Sequence, residues 1–121
     1  MVRNGHFKLD VWQVAMELVQ VVYEQTSGFP GHEQFGLSAQ MRRAAVSIPS
    51  NIAEGAGRGS NADFRRFLLI ARGSLAELET QALVSQNLGY PIELSKLQDL
   101  SDRLFKLLFG LIRKLELQSL H

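Results

Sequence analysis

Apolar residues recur every three or four positions through four long segments of this chain, and three stretches containing Gly or Pro separate the segments. This spacing is typical of helices that bury one face, whereas strands would show strict alternation. It predicts helices over about 10–27, 35–55, 61–88 and 92–117. The predicted core seams, in chain order, are Val11, Ala15, Leu18 and Val22; Leu37, Met41, Ala45, Ile48 and Ile52; Phe64, Leu68, Ala71, Leu75, Leu78 and Ala82; and Leu97, Leu100, Leu104, Leu107, Leu111 and Leu115.

Helices of this length joined by short loops pack antiparallel. The predicted fold is therefore all-α: an antiparallel, left-handed, up-down four-helix bundle that forms a single domain over residues 1–121. Asp10 is expected to cap the first helix, and Ser60, with Asp63 three residues later, the third. Gly89 is expected just beyond the end of the third helix. Pro49 lies inside the second helix and predicts a kink there, or a break just before it.

Composition excludes several classes of protein. The chain has no Cys, and no apolar stretch approaches the length of a membrane span. Its N-terminal residues also lack the apolar region of a signal peptide, so we expect a cytoplasmic protein that does not bind membranes. The histidines are His6, His32 and His121, and none follows a Glu at the spacing of di-iron bundles. We therefore expect no metal, no cofactor, no catalytic residues and no enzymatic activity.

Two features near the middle of the chain admit two readings each. The glycine-rich segment 55–60 is either a tight turn between helices or an anion-binding nest. A polar row follows the second helix at steps of three and four, and it is either a buried structural network or a polar subunit contact, such as a channel lining. The row consists of Arg43, Ser47, Asn51, Glu54 and Arg58.

The first and fourth helices carry more apolar surface than one seam requires. Four residues outside the clearest seams are candidates for a subunit interface: Trp12, Phe105, Phe109 and Ile112. Their presence favours a homo-oligomer. The alternative is a wider core that uses both apolar stripes of each helix.

The net charge is only +1, but the charges are unevenly distributed. Residues 40–72 hold six Arg and two acids, a net +4, and residues 77–102 hold one Lys and five acids, a net −4. Basic side chains also share faces of the third and fourth helices. These candidates for binding RNA or DNA are Arg65, Arg72, Arg103, Lys106, Arg113 and Lys114. The alternative is that they are ordinary solvated charges.

Several blocks resemble the 23S rRNA-intervening-sequence proteins, also called the four-helix-bundle protein family. The most distinctive block is Arg42–Gly55, RRAAVSIPSNIAEG, and the resemblance covers about residues 7–115. Further matches are Leu9–Ala15, Tyr23, Thr26, Phe29–Pro30, Glu33, Phe35–Leu37, Gln40, Arg58, Phe64, Phe67–Leu68, Ala71, Gly73–Leu75, Glu77–Gln81 and Gly89–Tyr90.

The resemblance implies a four-helix bundle similar to the subunits of a ring-shaped homopentamer. Some family members are encoded within insertions in bacterial rRNA genes. Others are similar to accessory proteins of diversity-generating retroelements, which bind a reverse transcriptase and nucleic acid. We therefore expect a non-enzymatic homo-oligomeric scaffold that binds nucleic acid, or a nucleic-acid-processing partner such as a reverse transcriptase, through its basic stripes. The alternative is a purely structural or protein-interaction bundle without affinity for nucleic acid.

Overall fold

The computed structural model describes residues 5–119, apart from the side chains of Phe7, Lys8 and Ser119. His121 and the outermost ends of the predicted domain lie outside the described residues. Within them the fold is all-α, without strands, and its four long helices are α1 (Asp10–Thr26), α2 (Leu37–Ala56), α3 (Asn61–Asn87) and α4 (Leu94–Ser119). Short 3-10 turns at Gly5–Lys8 and Gly31–Glu33 precede α1 and α2. Each long helix packs against two neighbours, in the order α1, α2, α3, α4 and back to α1, as in a four-helix bundle.

The predicted seams of the first three helices form the core. Ala15, Met41 and Leu68 are fully buried, and only the end residues Leu37 and Phe64 are partly exposed. The seam of α4 is partly wrong. Leu108 and Ile112 are buried in the core, whereas Leu100, Leu107 and Leu111 are only partly buried against it. Because leucines lie on both sides of α4, the spacing could not indicate which side faces the other helices.

The ends of α1 and α2 differ from the prediction. Leu9, not Asp10, precedes the first turn of α1; Asp10 lies inside that turn, and no side chain caps it. A carboxylate there is still favoured by the helix dipole. The second helix begins at Leu37 rather than near Phe35, because the Oε1 atom of Glu33 accepts a hydrogen bond of 3.0 Å from the Leu37 N–H.

The ends of α3 confirm the prediction. The Ser60 hydroxyl accepts a hydrogen bond of 3.1 Å from the Asp63 N–H. Gly89 has a φ of +78°, a conformation that favours glycine. The Gly89 N–H donates to the Gln86 carbonyl and the Tyr90 N–H to the Ser85 carbonyl, which closes the end of the helix.

The fourth helix starts at Leu94, two residues later than predicted. The side chain of Gln25 in α1 accepts a hydrogen bond from the Glu93 N–H and donates one to the Glu93 carbonyl, which holds the residue before the helix against α1.

The helix α2 continues without interruption through Pro49, so the predicted break is wrong. Pro49 has no N–H to donate to the Ala45 carbonyl, and the kink stays a prediction. The two residues that follow Pro49 bond carbonyls one turn back through their side chains: Ser50 Oγ donates to Val46 and Asn51 Nδ2 to Ser47, both at 2.7 Å. Side-chain bonds of this kind often accompany bent helices.

Along the contact between α2 and α3, later residues of α2 meet earlier residues of α3. Met41 accepts a hydrogen bond from Ser85 through its sulfur, and Ser47 lies 3.0 Å from Ser74, Oγ to Oγ. At the far end a Cβ atom placed on Gly55 would lie 2.7 Å from the Cβ atom of Phe67. The two helices therefore approach each other closely at Gly55, where α2 has no side chain.

Candidate nucleic-acid interface

Four basic side chains lie on the exposed side of α4. Arg103, Lys106, Arg113 and Lys114 are exposed, and none forms an ion pair within residues 5–119. They lie away from the buried residues of the same helix, such as Leu104 and Leu108. We call this surface the α4 basic face. Because no ion pair in the described part of the chain involves these four side chains, their charges are available to an anionic ligand.

The two basic candidates on α3 differ from each other. Arg65 donates from Nε and Nη2 to the Oε1 atom of Glu116, at 3.0 and 2.8 Å, so its charge is already compensated. This pair joins the start of α3 to the end of α4. Arg72 is exposed and makes no ion pair in the described part of the chain. Sequence spacing could not separate the two, since the partner of Arg65 lies 51 residues away.

Two phenylalanines lie beside the basic side chains of α4. Phe105 and Phe109 are 46% and 54% exposed, and their rings stack with centroids 6.5 Å apart and an interplanar angle of 25°. The next turn contains an open hollow of about 420 Å³, lined by Gly110, Arg113, Lys114, Leu117 and Gln118. The α4 basic face therefore combines cations, exposed aromatic rings and an apolar hollow.

The other two interface candidates are less exposed. Ile112 is only 5% exposed and belongs to the core, so it offers no surface to another subunit. Its position in the apparent second stripe of α4 follows from the misassigned seam. Trp12 is partly buried, and its ring meets that of His6 edge-on at 5.4 Å.

A second surface with apolar side chains lies between α1 and α2. Two hollows of about 320 and 700 Å³ share Val46. This surface, which we call the α1/α2 groove, is lined by His6, Trp12, Met16, Val19, Tyr23, Gln34, Phe35, Ala39, Arg42, Arg43, Val46, Ser47, Pro49, Ser50 and Ala53. Phe35 is 88% exposed. The second stripe of α1 indicated one wall of the groove, but nothing in the α2 pattern marked Val46 as its partner.

The charged part of the α1/α2 groove is held in place by α1. Arg42 donates to the Thr26 hydroxyl at 2.9 Å, and its guanidinium lies 4.6 Å from the Tyr23 ring centroid. Arg43 is exposed and has no ion pair among residues 5–119. The sequence alone gave no reason to separate these two adjacent arginines.

The polar row of α2 divides into two parts. Asn51 donates to Ser47, and Ser47 lies against Ser74 of α3, so these residues form a partly buried network between the helices. Glu54 and Arg58 form an ion pair of 2.9 Å, with both side chains about half exposed. The inner residues support the structural reading, and Arg43 is the one member of the row that is exposed and has no ion pair among the described residues.

The glycine-rich segment forms a turn. The Gly57 N–H donates to the carbonyls of Ala53 and Glu54, and the Arg58 N–H donates to Gly55. These two N–H groups are therefore directed back into the helix. Gly59, with a φ of +85°, completes the connection to α3. The hydrogen bonds favour the structural reading over the anion nest.

A hydrogen-bond network joins the two loops at the opposite end of the bundle. The Tyr90 hydroxyl donates to Glu33 Oε2 at 2.7 Å, and the Phe29 ring packs 5.2 Å from that of Tyr90. The bonds from the Leu37 N–H and from Tyr90 hold the pKa of Glu33 below its ordinary value. The bond to Glu33 raises the pKa of Tyr90. These contacts give structural roles to three residues of the family-like pattern.

The remaining perturbed carboxylate lies between α3 and α4. Burial, followed by the charge of Asp102, raises the pKa of Glu79. In the part of the chain that the structure covers, no three His, Cys, Asp or Glu side chains are grouped to hold a metal ion. Among the same residues no helix is long and apolar enough to cross a membrane.

Residues 7–110 match the family model of the 23S rRNA-intervening sequence proteins. The chain belongs to this family. The match confirms the resemblance drawn from the Arg42–Gly55 block and its neighbours. It includes Arg103 and Lys106 but ends before Arg113 and Lys114. A search of curated proteins gave no match.

Proposed function

We propose that this member of the 23S rRNA-intervening sequence family is a non-enzymatic, homo-oligomeric scaffold that binds nucleic acid through the α4 basic face. The observation that carries the proposal is the set of four exposed cations on one helix without an acidic partner among the described residues. Residues 103–115 contain no Asp or Glu at all. Phosphate groups are the ligands that such a surface attracts. The family name, which refers to rRNA, is in keeping with this ligand.

The assembly that we propose is a ring, by the family resemblance a homopentamer, of antiparallel, left-handed, up-down bundles. The contacts Met41–Ser85 and Ser47–Ser74 support the antiparallel arrangement of α2 and α3. A ring strengthens binding because each subunit repeats the same cations. A pentamer would present about twenty of them from α4, enough for a strong dependence of affinity on salt.

We assign the contact between copies to the α1/α2 groove. The central parts of protein interfaces are apolar and poor in Lys, and the groove is apolar along most of its length and contains no Lys. The α4 basic face contains four cations without an ion pair among the described residues, whereas the groove contains two, Arg42 and Arg43, so burial of the groove is the less unfavourable. Under this assignment Phe105 and Phe109, which the sequence suggested for the subunit contact, belong instead to the surface that binds the ligand.

The binding proposal is tested by reversing two charges. Arg103→Glu with Lys106→Glu should abolish binding of a labelled oligonucleotide measured by fluorescence anisotropy at about 50 mM salt, whereas wild type should bind and weaken steeply by about 200 mM. The control is Arg58→Glu with Arg66→Glu, which makes the same change in net charge beside the Phe67 ring, where both guanidinium groups lie, and not on α4. If wild type does not bind at the lower salt, or both variants lose binding equally, the proposal is wrong.

The subunit contact is tested separately by light scattering. Val46→Glu places a charge in the α1/α2 groove and should give a monomer of 13.5 kDa with unchanged helicity. Phe105→Glu, with a similarly exposed side chain on α4, should leave the assembly intact. A wild-type monomer would refute the oligomer, and dissociation by Phe105→Glu alone would place the contact on α4 instead.

A further inference from the structure

We infer that the stacked pair Phe105 and Phe109, with the hollow at Gly110 beside it, binds unpaired nucleobases, so that the protein prefers single-stranded nucleic acid to duplex. This inference rests on the proposed function, and it names the class of nucleic acid that the α4 basic face binds. It also accounts for two aromatic rings that the core does not bury.

The rings are positioned as a stacking surface. Both are about half exposed and nearly parallel to each other, so part of each ring remains open to solvent. Single-strand-binding proteins combine basic grooves with aromatic rings on which bases stack. In a duplex the bases already stack on each other, and their faces are not accessible. A single strand can offer both phosphates and base faces to the same site.

The cations flank the rings along the helix. Lys106 directly follows Phe105, and Arg113 lies one turn beyond Phe109. At 1.5 Å per residue the axial distance from Lys106 to Arg113 is about 10 Å. A backbone that follows this row would carry its bases past Phe109 and the hollow. Residues 103–115 contain no carboxylate, so no side chain of this stretch of α4 repels a phosphate.

The hollow beside Gly110 is the second observation that points to a ligand. A Cβ atom at this position would meet nothing within 4 Å, so packing within the protomer does not require glycine. Glycine inside a helix is nevertheless destabilising relative to alanine. Its lack of a side chain leaves space in the shallow, open hollow of about 420 Å³ that it lines. The floor of the hollow is apolar, as a flat base requires, and Arg113 and Lys114 line it.

The decisive variant is Phe105→Leu with Phe109→Leu, which keeps apolar bulk and removes the aromatic faces. The assay is fluorescence anisotropy with a labelled single strand of mixed sequence and the duplex of the same length, at the same two salt concentrations. Wild type should bind the single strand more tightly than the duplex. The Leu variant should bind the single strand about tenfold less tightly, with little change for the duplex. Replacement of both rings by Tyr should retain single-strand binding.

A second pair of variants tests the hollow. Gly110→Leu fills it and should weaken single-strand binding, whereas Gly73→Leu, at an equally open position on α3, should not. If wild type prefers the duplex, or the Leu and Tyr double variants bind equally well, the inference is wrong while the proposed function stands. If wild type binds neither probe at low salt, the proposed function fails first. Circular dichroism and light scattering on the same samples check that fold and assembly are unchanged.

Discussion

Gly55→Ala should destabilise this protein, although alanine normally stabilises the interior of a helix. Gly55 lies in the last turn of α2, against the start of α3. A Cβ atom there would lie 2.7 Å from Phe67 Cβ, 3.1 Å from Phe64 Cδ1 and 3.3 Å from the Phe64 carbonyl oxygen. Two of these atoms belong to, or attach directly to, the backbone of α3, so rotation of a side chain cannot relieve the contact.

The magnitude follows from two opposing effects. Replacement of glycine by alanine in a helix gains about 0.5–1 kcal/mol. Forcing an extra carbon into a packed contact costs about 1–3 kcal/mol, because α2 and α3 must separate. The net loss is then on the order of 1–2 kcal/mol. For a chain of 121 residues this corresponds to a fall in Tm of about 4–8 °C.

Gly73→Ala is the matched control, because a Cβ atom at Gly73 in α3 meets nothing within 4 Å. It should raise Tm by a few degrees, since only the helix preference remains. Both variants are compared with wild type by thermal unfolding followed by circular dichroism. The protein concentration is held constant because assembly also shifts Tm. If Gly55→Ala raises Tm as Gly73→Ala does, the close approach of α2 and α3 is not what requires glycine.

Three further predictions concern charged side chains. The hydrogen bonds that lower the pKa of Glu33 stabilise the fold at pH values above its ordinary pKa of 4.5, and this stability is lost as pH falls through the lowered pKa. Glu33→Gln should therefore be less stable than wild type at pH 7. In urea unfolding measured at several pH values, its stability should also depend less on pH in acid than that of wild type. The raised pKa of Glu79 has the opposite effect on stability: the free energy of unfolding decreases as pH rises through this pKa. Glu79→Gln should therefore stabilise at pH 7, by an amount that shrinks in acid and when Asp102 is replaced by Asn. A double-mutant cycle on Arg65 and Glu116, both partly exposed, should give a coupling of about 0.2–1 kcal/mol that salt reduces; a value near zero would show that the pair is unimportant for stability.

Features that depend on neighbours in sequence could be predicted from the chain. The spacing of apolar residues indicated four helices and the buried seams of the first three, because the helix itself fixes which side chains share a face. The start of α3 at Ser60 and its end at Gly89 were also correct, since both are set by hydrogen bonds within a few residues. The start of α2 was not, because its cap comes from Glu33, outside the usual capping position.

Features that depend on contacts between helices could not be predicted. Leucines line both sides of α4, so only packing against α1 and α3 determined that Leu108 and Ile112 are buried. The same contacts bury Ile112, which therefore cannot contact another subunit, and leave Phe105 and Phe109 exposed.

The candidate site was found from the sequence only as a list of basic side chains. The chain by itself determined the four helices and placed Arg103, Lys106 and Arg113 along α4, because these follow from local backbone geometry. Only the tertiary structure decided that Arg65 is paired with Glu116, whereas Arg103, Lys106 and Arg113 have no ion pair among the described residues. It also formed the α1/α2 groove, in which the second apolar stripe of α1 lies beside Val46 of α2, a residue that the sequence pattern did not single out. The physical reason is that charge compensation and exposure depend on which helix lies alongside, and that is set by packing of the whole core.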